Sequence, residues 1–131
     1  MRLVVQRVKG ASVSIKNEIY SKIDSGLLLY VGIEKSDTID DINFVANKVL
    51  QLRIFPDENN KMNLSIMDIG GEILSISQFT LASYLKKGRR PDFSNAKEPD
   101  EAEKLYHQFN DILKENIAVK TGIFGAMMDI E

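Results

Sequence analysis

Hydrophobic and polar positions alternate along the early part of the chain, and the period then changes to that of a helix. Residues 2–8 and 11–23 predict β-strands, the second stretch with a tight turn at Lys16-Asn17, where Asn tolerates a positive φ. The continuous apolar run at 27–33 predicts a strand that is buried on both faces. From 38 to 52, apolar side chains recur at three- and four-residue steps, which predicts an amphipathic helix.

The second half of the chain again places a strand before a helix. Residues 72–81 return to strand chemistry, and 84–97 predict a loop because they contain Gly, Pro and few aliphatic side chains. Pro99 suits the first turn of a second helix, where its missing N–H costs nothing. Residues 117–123 and 126–130 predict short strands. The predicted buried stripe of the second helix consists of Ala102, Leu105, Phe109, Ile112 and Leu113.

This order of elements predicts one α/β (α+β) domain over residues 1–131. The early hairpin chemistry favours a mixed or largely antiparallel sheet with two main helices packed outside it. A length of 131 residues is that of one domain, and it is enough to bury a core without disulfides or a metal. No glycine-rich phosphate loop of the GxGxxG type is present, which argues against a dinucleotide-binding fold.

The composition excludes several kinds of site. The chain has no cysteine and one histidine, His107, so thiolate metal sites, multi-histidine metal sites and cysteine nucleophiles are excluded. His107 is predicted on the outer side of the second helix. The formal net charge of −2 excludes a uniformly basic nucleic-acid binder but not a local basic patch. With no secretion signal and no apolar stretch near the roughly 20 residues of a membrane span, we expect a cytoplasmic protein without metal or cofactor.

Hydroxyl and amide side chains interrupt the apolar strand predicted at 72–81. Along a regular strand Ser77 and Gln78 point to opposite faces, and so do Ser77 and Thr80. The strand must therefore end or bulge here if Ser77 and Thr80 are to reach one ligand. The same pattern is also typical of a strand with a solvated face, so both interpretations stay open.

A dense basic cluster follows this strand, in the predicted loop. Lys86, Lys87, Arg89 and Arg90 can bind phosphates by charge and, for arginine, by bidentate hydrogen bonds. A solvated charged loop is the alternative. The position directly after the Ser/Gln/Thr segment favours phosphates held beside those hydroxyls.

Two further features have both a structural and a functional interpretation. At 121–128, two glycines flank an aromatic side chain, which suits a flat nucleobase pocket but also a plain core. Arg7 lies among apolar residues, either at a sheet edge or as an anchor for backbone carbonyls. Without a usable base, the remaining chemistry is backbone oxyanion stabilisation with a positioned water or substrate hydroxyl, which suffices for an activated ester.

Six blocks of the sequence, in order and spacing, resemble a known enzyme family. They are MRLVVQRV, GLLLYVGIEKSDT, LRIFPDENNKMNLSI, GGEILSISQFTL, KKGRRPDF and TGIFGAMM. The chain resembles D-aminoacyl-tRNA deacylase, formerly called D-tyrosyl-tRNA deacylase. The resemblance implies hydrolysis of the ester that joins a D-amino acid to the 3′-terminal adenosine of tRNA, which proofreads chirality in translation. It also implies a compact β-barrel-like α/β fold and a homodimer with its sites near the interface.

The resemblance further implies roles for individual residues. Ser77, Gln78, Phe79 and Thr80 correspond to the family's SQxT active-site motif, which acts through main-chain groups and the substrate's ribose 2′-OH rather than through a threonine nucleophile. Arg7 resembles the arginine that braces the family's chirality-selecting loop. The residues that resemble the lining of the family's adenosine pocket are Phe124, Gly125, Ala126, Met127 and Met128.

The end of the sequence departs from the family pattern. The family continues with a final strand and a Gly-Pro motif that excludes L-amino acids, whereas this sequence ends at Glu131 and none of its three prolines follows a glycine. The expected domain therefore lacks that strand and motif. Two alternatives to an active deacylase stay open: a module that binds tRNA 3′ ends or other single-stranded nucleic acid, and an oligomeric scaffold with neither property.

Overall fold

The chain folds into nine short strands and three α-helices, and the computed structural model describes all 131 residues. The strands are β1 (Arg2–Val8), β2 (Ala11–Ile15), β3 (Glu18–Ile23), β4 (Gly26–Gly32), β5 (Phe55–Pro56), β6 (Met62–Leu64), β7 (Glu72–Ser77), β8 (Val119–Thr121) and β9 (Asp129–Ile130). The helices are α1 (Ile39–Gln51), α2 (Ile66–Ile69) and α3 (Pro99–Lys114), with a 3-10 turn at Phe79–Ala82. No helix has the length and apolar character needed to cross a membrane.

A four-stranded mixed sheet in the order β1-β4-β7-β8 forms the centre of the fold. The two middle strands, β4 and β7, pair in parallel, and the register places Val31 opposite Ser77. β8 is parallel to β7, whereas β1 is antiparallel to β4. The helix α1 lies in the crossover from β4 to β7, as a parallel pair requires. The α/β fold class with a mixed sheet is therefore confirmed.

Both faces of this sheet are covered by apolar side chains. One face packs against α1 and α3, where the larger of two buried clusters includes Leu29, Ile42 and Phe109. The other face packs against a three-stranded sheet in the order β3-β2-β9, with Leu74 of β7 against Val13 of β2. The β-barrel-like arrangement expected from the resemblance thus takes the form of two facing sheets, which do not close into a barrel.

Local sequence chemistry accounts for the first hairpin and the first helix. Lys16 and Asn17 both have positive φ, 52° and 63°, which confirms the tight turn between β2 and β3. Thr38 is the N-cap of α1, and the Asp41 carboxylate accepts hydrogen bonds from its backbone N–H and its hydroxyl at 2.8 and 3.1 Å. This pairing satisfies a helix-end donor that has no partner inside the helix.

Three details differ from the sequence prediction. The strand predicted at 72–81 ends at Ser77, and the strands predicted at 117–123 and 126–130 shrink to three and two residues. The small hairpin of β5 and β6 and the short helix α2 were not predicted. In α3 the fully buried positions include Tyr106 and Asn110, whereas Leu105 and Ile112 are only partly buried.

A cluster of charges holds the start of β1 against the end of β4. The Met1 amine donates hydrogen bonds to Asp37 (2.5 Å) and Glu34 (3.0 Å), and Arg2 pairs with Glu34 at 2.7 Å. Burial lowers the pKa of the Met1 amine, but its hydrogen bonds to Asp37 and Glu34 outweigh that effect and raise the pKa above 8.0. The hydrogen bond from the amine, opposed in part by burial, holds the pKa of Glu34 below 4.5.

We expect this cluster to confine its stabilisation to a window of pH. The Glu34 contribution is present above its unfolded pKa near 4.5 and is lost as the pH falls through its lower folded pKa. The Met1 contribution is present below its unfolded pKa near 8.0 and is lost as the pH rises through its higher folded pKa. At pH 6 we expect Glu34→Gln to cost about 1–2 kcal/mol.

Urea unfolding of the wild type and Glu34→Gln from pH 3 to pH 10 checks this expectation. The difference in unfolding free energy should be largest near pH 6 and shrink at both ends. Glu58→Gln, a change at an exposed turn residue, is the control and should leave stability unchanged at every pH. A difference for Glu34→Gln that stays constant across the range would contradict the assignment.

Candidate functional site

The polar segment predicted at the end of the strand leaves the sheet at Ser77. The backbone N–H of Gln78 still donates to the Val31 carbonyl at 2.7 Å, and the chain then enters the 3-10 turn. The side-chain amide of Gln78 donates to the Thr80 hydroxyl at 2.5 Å. The alternation of side chains between the two faces of the strand therefore stops after Ser77. This meets the condition under which Ser77 and Thr80 could approach one ligand.

Gly32 at the end of β4 allows this turn to pack closely. A Cβ atom at position 32 would lie 2.8 Å from the Leu81 Cβ and 3.1 Å from the Gln78 carbonyl oxygen. Arg2 holds the turn from the other side, because its guanidinium donates to the Leu81 carbonyl at 3.1 Å. The turn is thus fixed against the sheet at both of its ends.

The segment 122–128 forms the opposite wall of the site. It leaves β8 in the four-stranded sheet and leads to β9 in the three-stranded sheet, so it crosses the end of β7. Phe124 packs against the helix-side core, and Met128 packs against the core between the sheets. Gly125 has a φ of +76°, a conformation that a residue with a side chain adopts only with strain.

A cleft of about 360 Å³ lies between these two walls. Eight of the predicted site residues line it together, although the two segments are far apart in the sequence. Thr80 is not in the lining, but its hydroxyl is bonded to Gln78, which is. The lining residues are Ile76, Ser77, Gln78, Phe79, Phe124, Gly125, Ala126, Met127, Met128 and Ile130.

Tyr106 of α3 connects the two walls from beneath. Its buried hydroxyl donates to the Ser75 carbonyl at 2.7 Å, and its ring centroid lies 5.9 Å from that of Phe124. Burial raises the pKa of the phenol above 10.0, so the hydroxyl stays a neutral donor at neutral pH. The predicted buried stripe of the second helix omits Tyr106, yet the steps from Ala102 to Tyr106 to Phe109 are helical and indicate a buried position.

The lining of the cleft contains no titratable side chain. The one histidine, His107, lies on the exposed side of α3, with its Nε2 3.5 Å from Glu103. This outward position agrees with the sequence prediction. No group of three or more histidines and carboxylates is placed to hold a metal ion. What the cleft offers a substrate is therefore hydroxyl, amide and main-chain groups beside apolar and aromatic surface.

Arg7 does not line this cleft within the chain. It lies in the edge strand β1, and its guanidinium donates to the Ile54 carbonyl at 2.8 Å. Its partner in the neighbouring strand β4 is Leu27. Leu27 lies four residues, or about 13 Å along the strand, from Val31, which is the residue opposite Ser77. Arg7 is exposed at the edge of the sheet, as one of the two interpretations predicts, and although it binds a backbone carbonyl it is not a buried anchor. Its expected role in selection stays a prediction.

The basic loop projects from the same end of the sheet. Reciprocal backbone hydrogen bonds between Tyr84 and Asp92 close its base at 2.9 and 3.0 Å. The four cations of the loop are exposed and form no ion pair with an acidic side chain of this chain. Just beyond the loop, the Phe93 ring contacts Phe79 edge to face at 5.2 Å, which brings the loop base beside the cleft. The four cations are Lys86, Lys87, Arg89 and Arg90.

Comparisons with known proteins show which family the sequence matches. The sequence model of the family described as D-Tyr-tRNA(Tyr) deacylase matches residues 4–131. A "D-aminoacyl-tRNA deacylase" from Geobacillus sp. (strain WCH70) is 53% identical over 100% of this chain and 87% of its own length. One from Bacillus cytotoxicus is 55% identical over 99% of this chain and 90% of its own length.

Two solved structures share the fold. One, titled "c-Myc DNA Unwinding Element Binding Protein", superposes with a TM-score of 0.95 at 39% identity and covers 100% of this chain and 90% of that one. The other, titled "Structural Analysis of a probable eukaryotic D-amino acid tRNA deacylase", has a TM-score of 0.87 at 16% identity and covers 98% and 91%. The second likeness, at its low identity, bears on the fold alone.

We expect the hydrogen bond beneath the cleft to stabilise the fold measurably. Tyr106→Phe removes the donor and leaves the Ser75 carbonyl without it in a buried place, which should cost about 1–2 kcal/mol of unfolding free energy in urea. Tyr20→Phe removes a hydroxyl from an exposed ring and is the control, expected to change stability by less than about 0.5 kcal/mol. Equal stability of the two variants would show that the hydrogen bond contributes nothing.

Proposed function

The chain belongs to the D-aminoacyl-tRNA deacylase family, and we propose that the cleft between residues 76–79 and 124–130 is where it hydrolyses the ester of D-aminoacyl-tRNA. The products are the free D-amino acid and tRNA. The observation that carries the proposal is that the Ser77–Thr80 strand end and the Phe124–Met128 segment face each other across one cleft. Those two segments are the ones whose residues match the family's active-site motif and adenosine pocket.

The chemistry of the cleft suits an activated ester. A water oxygen attacks the carbonyl carbon, the bond from that carbon to the ribose 3′-oxygen breaks, and the 3′-oxygen leaves with a proton. The backbone N–H groups of Phe79 and Thr80 begin the 3-10 turn and have no acceptor inside it. We propose that they stabilise the oxyanion, while the substrate's own 2′-OH orients the water.

Thr80 is a poor candidate for a nucleophile. A threonine hydroxyl needs an adjacent base to remove its proton, and neither a histidine nor a carboxylate lines the cleft. Its hydroxyl instead accepts a hydrogen bond from the Gln78 amide at 2.5 Å. This contact orients Gln78 and Thr80 together and supports a positioning role for both.

The wall at 124–128 suits the terminal adenosine. The Phe124 ring supplies an aromatic surface, and Gly125 allows a base to approach the backbone closely. Met127 and Met128 are adaptable apolar side chains that can cover the edges of a purine. The basic loop, whose four cations form no ion pair, would hold phosphates of the same tRNA.

A homodimer and a cytoplasmic location form part of the proposal. Beside the cleft, Met127 is 92% exposed and Ile123 is 43% exposed, and Val4 on the edge strand β1 is 46% exposed. Apolar side chains this exposed beside a site support a second copy of the chain that covers them. A monomer mass in sedimentation equilibrium would contradict the homodimer. The cytoplasmic location is supported by the proposed substrate, tRNA.

The comparisons favour the hydrolase over a module that only binds tRNA 3′ ends. Relatives more than 50% identical over the whole chain carry the name deacylase. The strand end and the segment that match the family's site motifs line one cleft in this chain, which supports the hydrolase. A scaffold without binding activity would have no use for that arrangement.

The test of the proposal is a deacylation time course. We expect D-tyrosyl-tRNA to be hydrolysed well above its spontaneous rate by the 131-residue chain, with no metal added. L-tyrosyl-tRNA, which differs only at the α-carbon, is the matched comparison, and slower hydrolysis of it would show that this chain selects by chirality. Equal rates would show a chain that catalyses without selecting. No hydrolysis of either substrate at high enzyme concentration would reject the proposal.

Thr80→Ala in the same assay distinguishes a threonine nucleophile from catalysis by main-chain groups and the substrate hydroxyl. We expect it to keep activity within about tenfold of the wild type, because main-chain groups and the substrate hydroxyl carry the reaction. Loss of an obligate nucleophile would instead lower kcat by about 10³-fold or more. A kcat lowered to that extent, with tRNA binding unchanged, would make Thr80 the nucleophile after all.

The basic loop should set the salt dependence of tRNA binding. Changing all four of its cations to Ala should reduce the slope of log Kd against log salt by about 2–3. A control variant with the same loss of charge changes Lys9, Lys61, Lys104 and Lys114 to Ala and should keep the slope. If the two variants lose the same slope, the loop has no special role and the effect is one of net charge.

A further inference from the structure

A second, more apolar groove adjoins the cleft. It measures about 400 Å³, and it shares Phe79, Phe124 and Gly125 with the cleft. Its far wall is the Phe93 ring together with the start of α3. The remaining lining residues are Ala96, Lys97, Glu98, Pro99 and Ala102. The proposed ester chemistry needs none of these side chains.

The groove lies between the cleft and the basic loop. Phe93 lines the groove, and its neighbour Asp92 lines a depression of about 320 Å³ together with Tyr84, Lys86 and Lys87. The surface therefore runs in one order: the cleft, the apolar groove, and then a depression with cations. A linear ligand that spans from the cleft to this depression can therefore lie along the groove.

The exposed rings along this surface are of the kind that bind single-stranded nucleic acid. Phe93 is 37% exposed and Phe79 is 56% exposed, and their rings meet edge to face with an interplanar angle of 66°. Aromatic faces beside a positively charged track accept successive unpaired bases by stacking. An exposed aromatic pair that served only the core would not need this position.

The charges in the groove do not favour a charged occupant. The Lys97 ammonium is already bound to the Lys35 carbonyl at 3.1 Å and lies 3.7 Å from Glu101. With that cation engaged, the charge left in the lining is the Glu98 carboxylate, which repels an anion, and most of the remaining surface is apolar or aromatic. An uncharged planar group, attached to phosphates that point toward Lys86 and Lys87, matches both the groove and its surroundings.

We propose that this groove binds the base of the nucleotide that precedes the terminal adenosine of the tRNA, stacked against Phe93. The proposal rests on the proposed function, because it takes the terminal adenosine to lie in the cleft. The phosphates on the 5′ side of this nucleotide lead to the basic loop. The groove is thus a subsite that recognises the single-stranded 3′ end as nucleic acid, independently of the amino acid.

Two small substrates test the proposal: the D-tyrosyl ester of adenosine, and the D-tyrosyl ester of the dinucleotide CpA, which adds the preceding nucleotide. With the wild type, we expect kcat/KM about tenfold higher for the dinucleotide ester. Phe93→Ala should abolish that gain while leaving the adenosine ester unchanged, and Phe93→Trp should retain it. Phe44→Ala removes an exposed ring on α1, away from both surfaces, and should change neither substrate.

Three outcomes would overturn the proposal. Equal kcat/KM for the two esters with the wild type would show that the groove contributes no contact to the preceding nucleotide. An equal loss on both esters with Phe93→Ala would show that the ring only shapes the cleft. A loss that is larger for D-tyrosyl-adenosine than for D-alanyl-adenosine would place the amino-acid side chain in the groove.

A measurement without turnover keeps the subsite distinct from the proposed function. An uncharged tRNA acceptor stem with 2-aminopurine in place of the preceding base should lose fluorescence on binding to the wild type, because stacking quenches this base. Phe93→Ala should bind without that quenching. Quenching with the wild type but no hydrolysis of any ester would reject the proposed function and keep the subsite, and unchanged fluorescence would reject the subsite.

Discussion

The parallel pairing of β4 with β7, buried on both faces, is the constraint on which the rest of this structure depends. Parallel strands place their carboxyl ends at the same edge of a sheet, so the end of β4 at Val31 and Gly32 lies beside the end of β7 at Ser77. The pairing also requires a crossover, which carries α1 onto one face, and the small sheet covers the other. The edge where both strands end is therefore the place where polar groups can leave a largely apolar core.

The polar groups near this edge show how that transition is arranged. Ser75 and Asn110 are buried beneath the cleft, and the Ser75 hydroxyl and the Asn110 amide have no hydrogen-bond partner in the chain. Tyr106 donates to the Ser75 carbonyl of β7 and also packs against Phe124, so one buried side chain links the strand that leads into one wall with the other wall. Buried polar groups that are only partly paired are costly, and their position under a candidate site fits a fold that accepts some strain there for function.

The distribution of charge explains how an acidic chain suits an RNA substrate. The formal net charge is −2, yet four cations without ion-pair partners lie on one loop beside the cleft. Interactions between exposed charges are screened over about 8–10 Å at physiological ionic strength, so a phosphate near the loop is attracted by the loop and not repelled by the whole chain. The acidic groups elsewhere have local roles, such as Asp41 at the start of α1 and Glu34 with the Met1 amine.

By itself, the sequence determined the elements whose cause is local. The hairpin at Lys16-Asn17, the doubly buried strand β4 and the amphipathic helix α1 follow from periods and turn residues, and family motifs indicated both walls of the cleft before any geometry was available. Tertiary structure alone decided that β7 ends at Ser77, that Tyr106 is buried, and that Arg7 lies away from the cleft. These outcomes depend on contacts between residues distant in the chain, such as Gly32 against the 79–82 turn, and neither periodicity nor motif spacing records which distant surfaces meet.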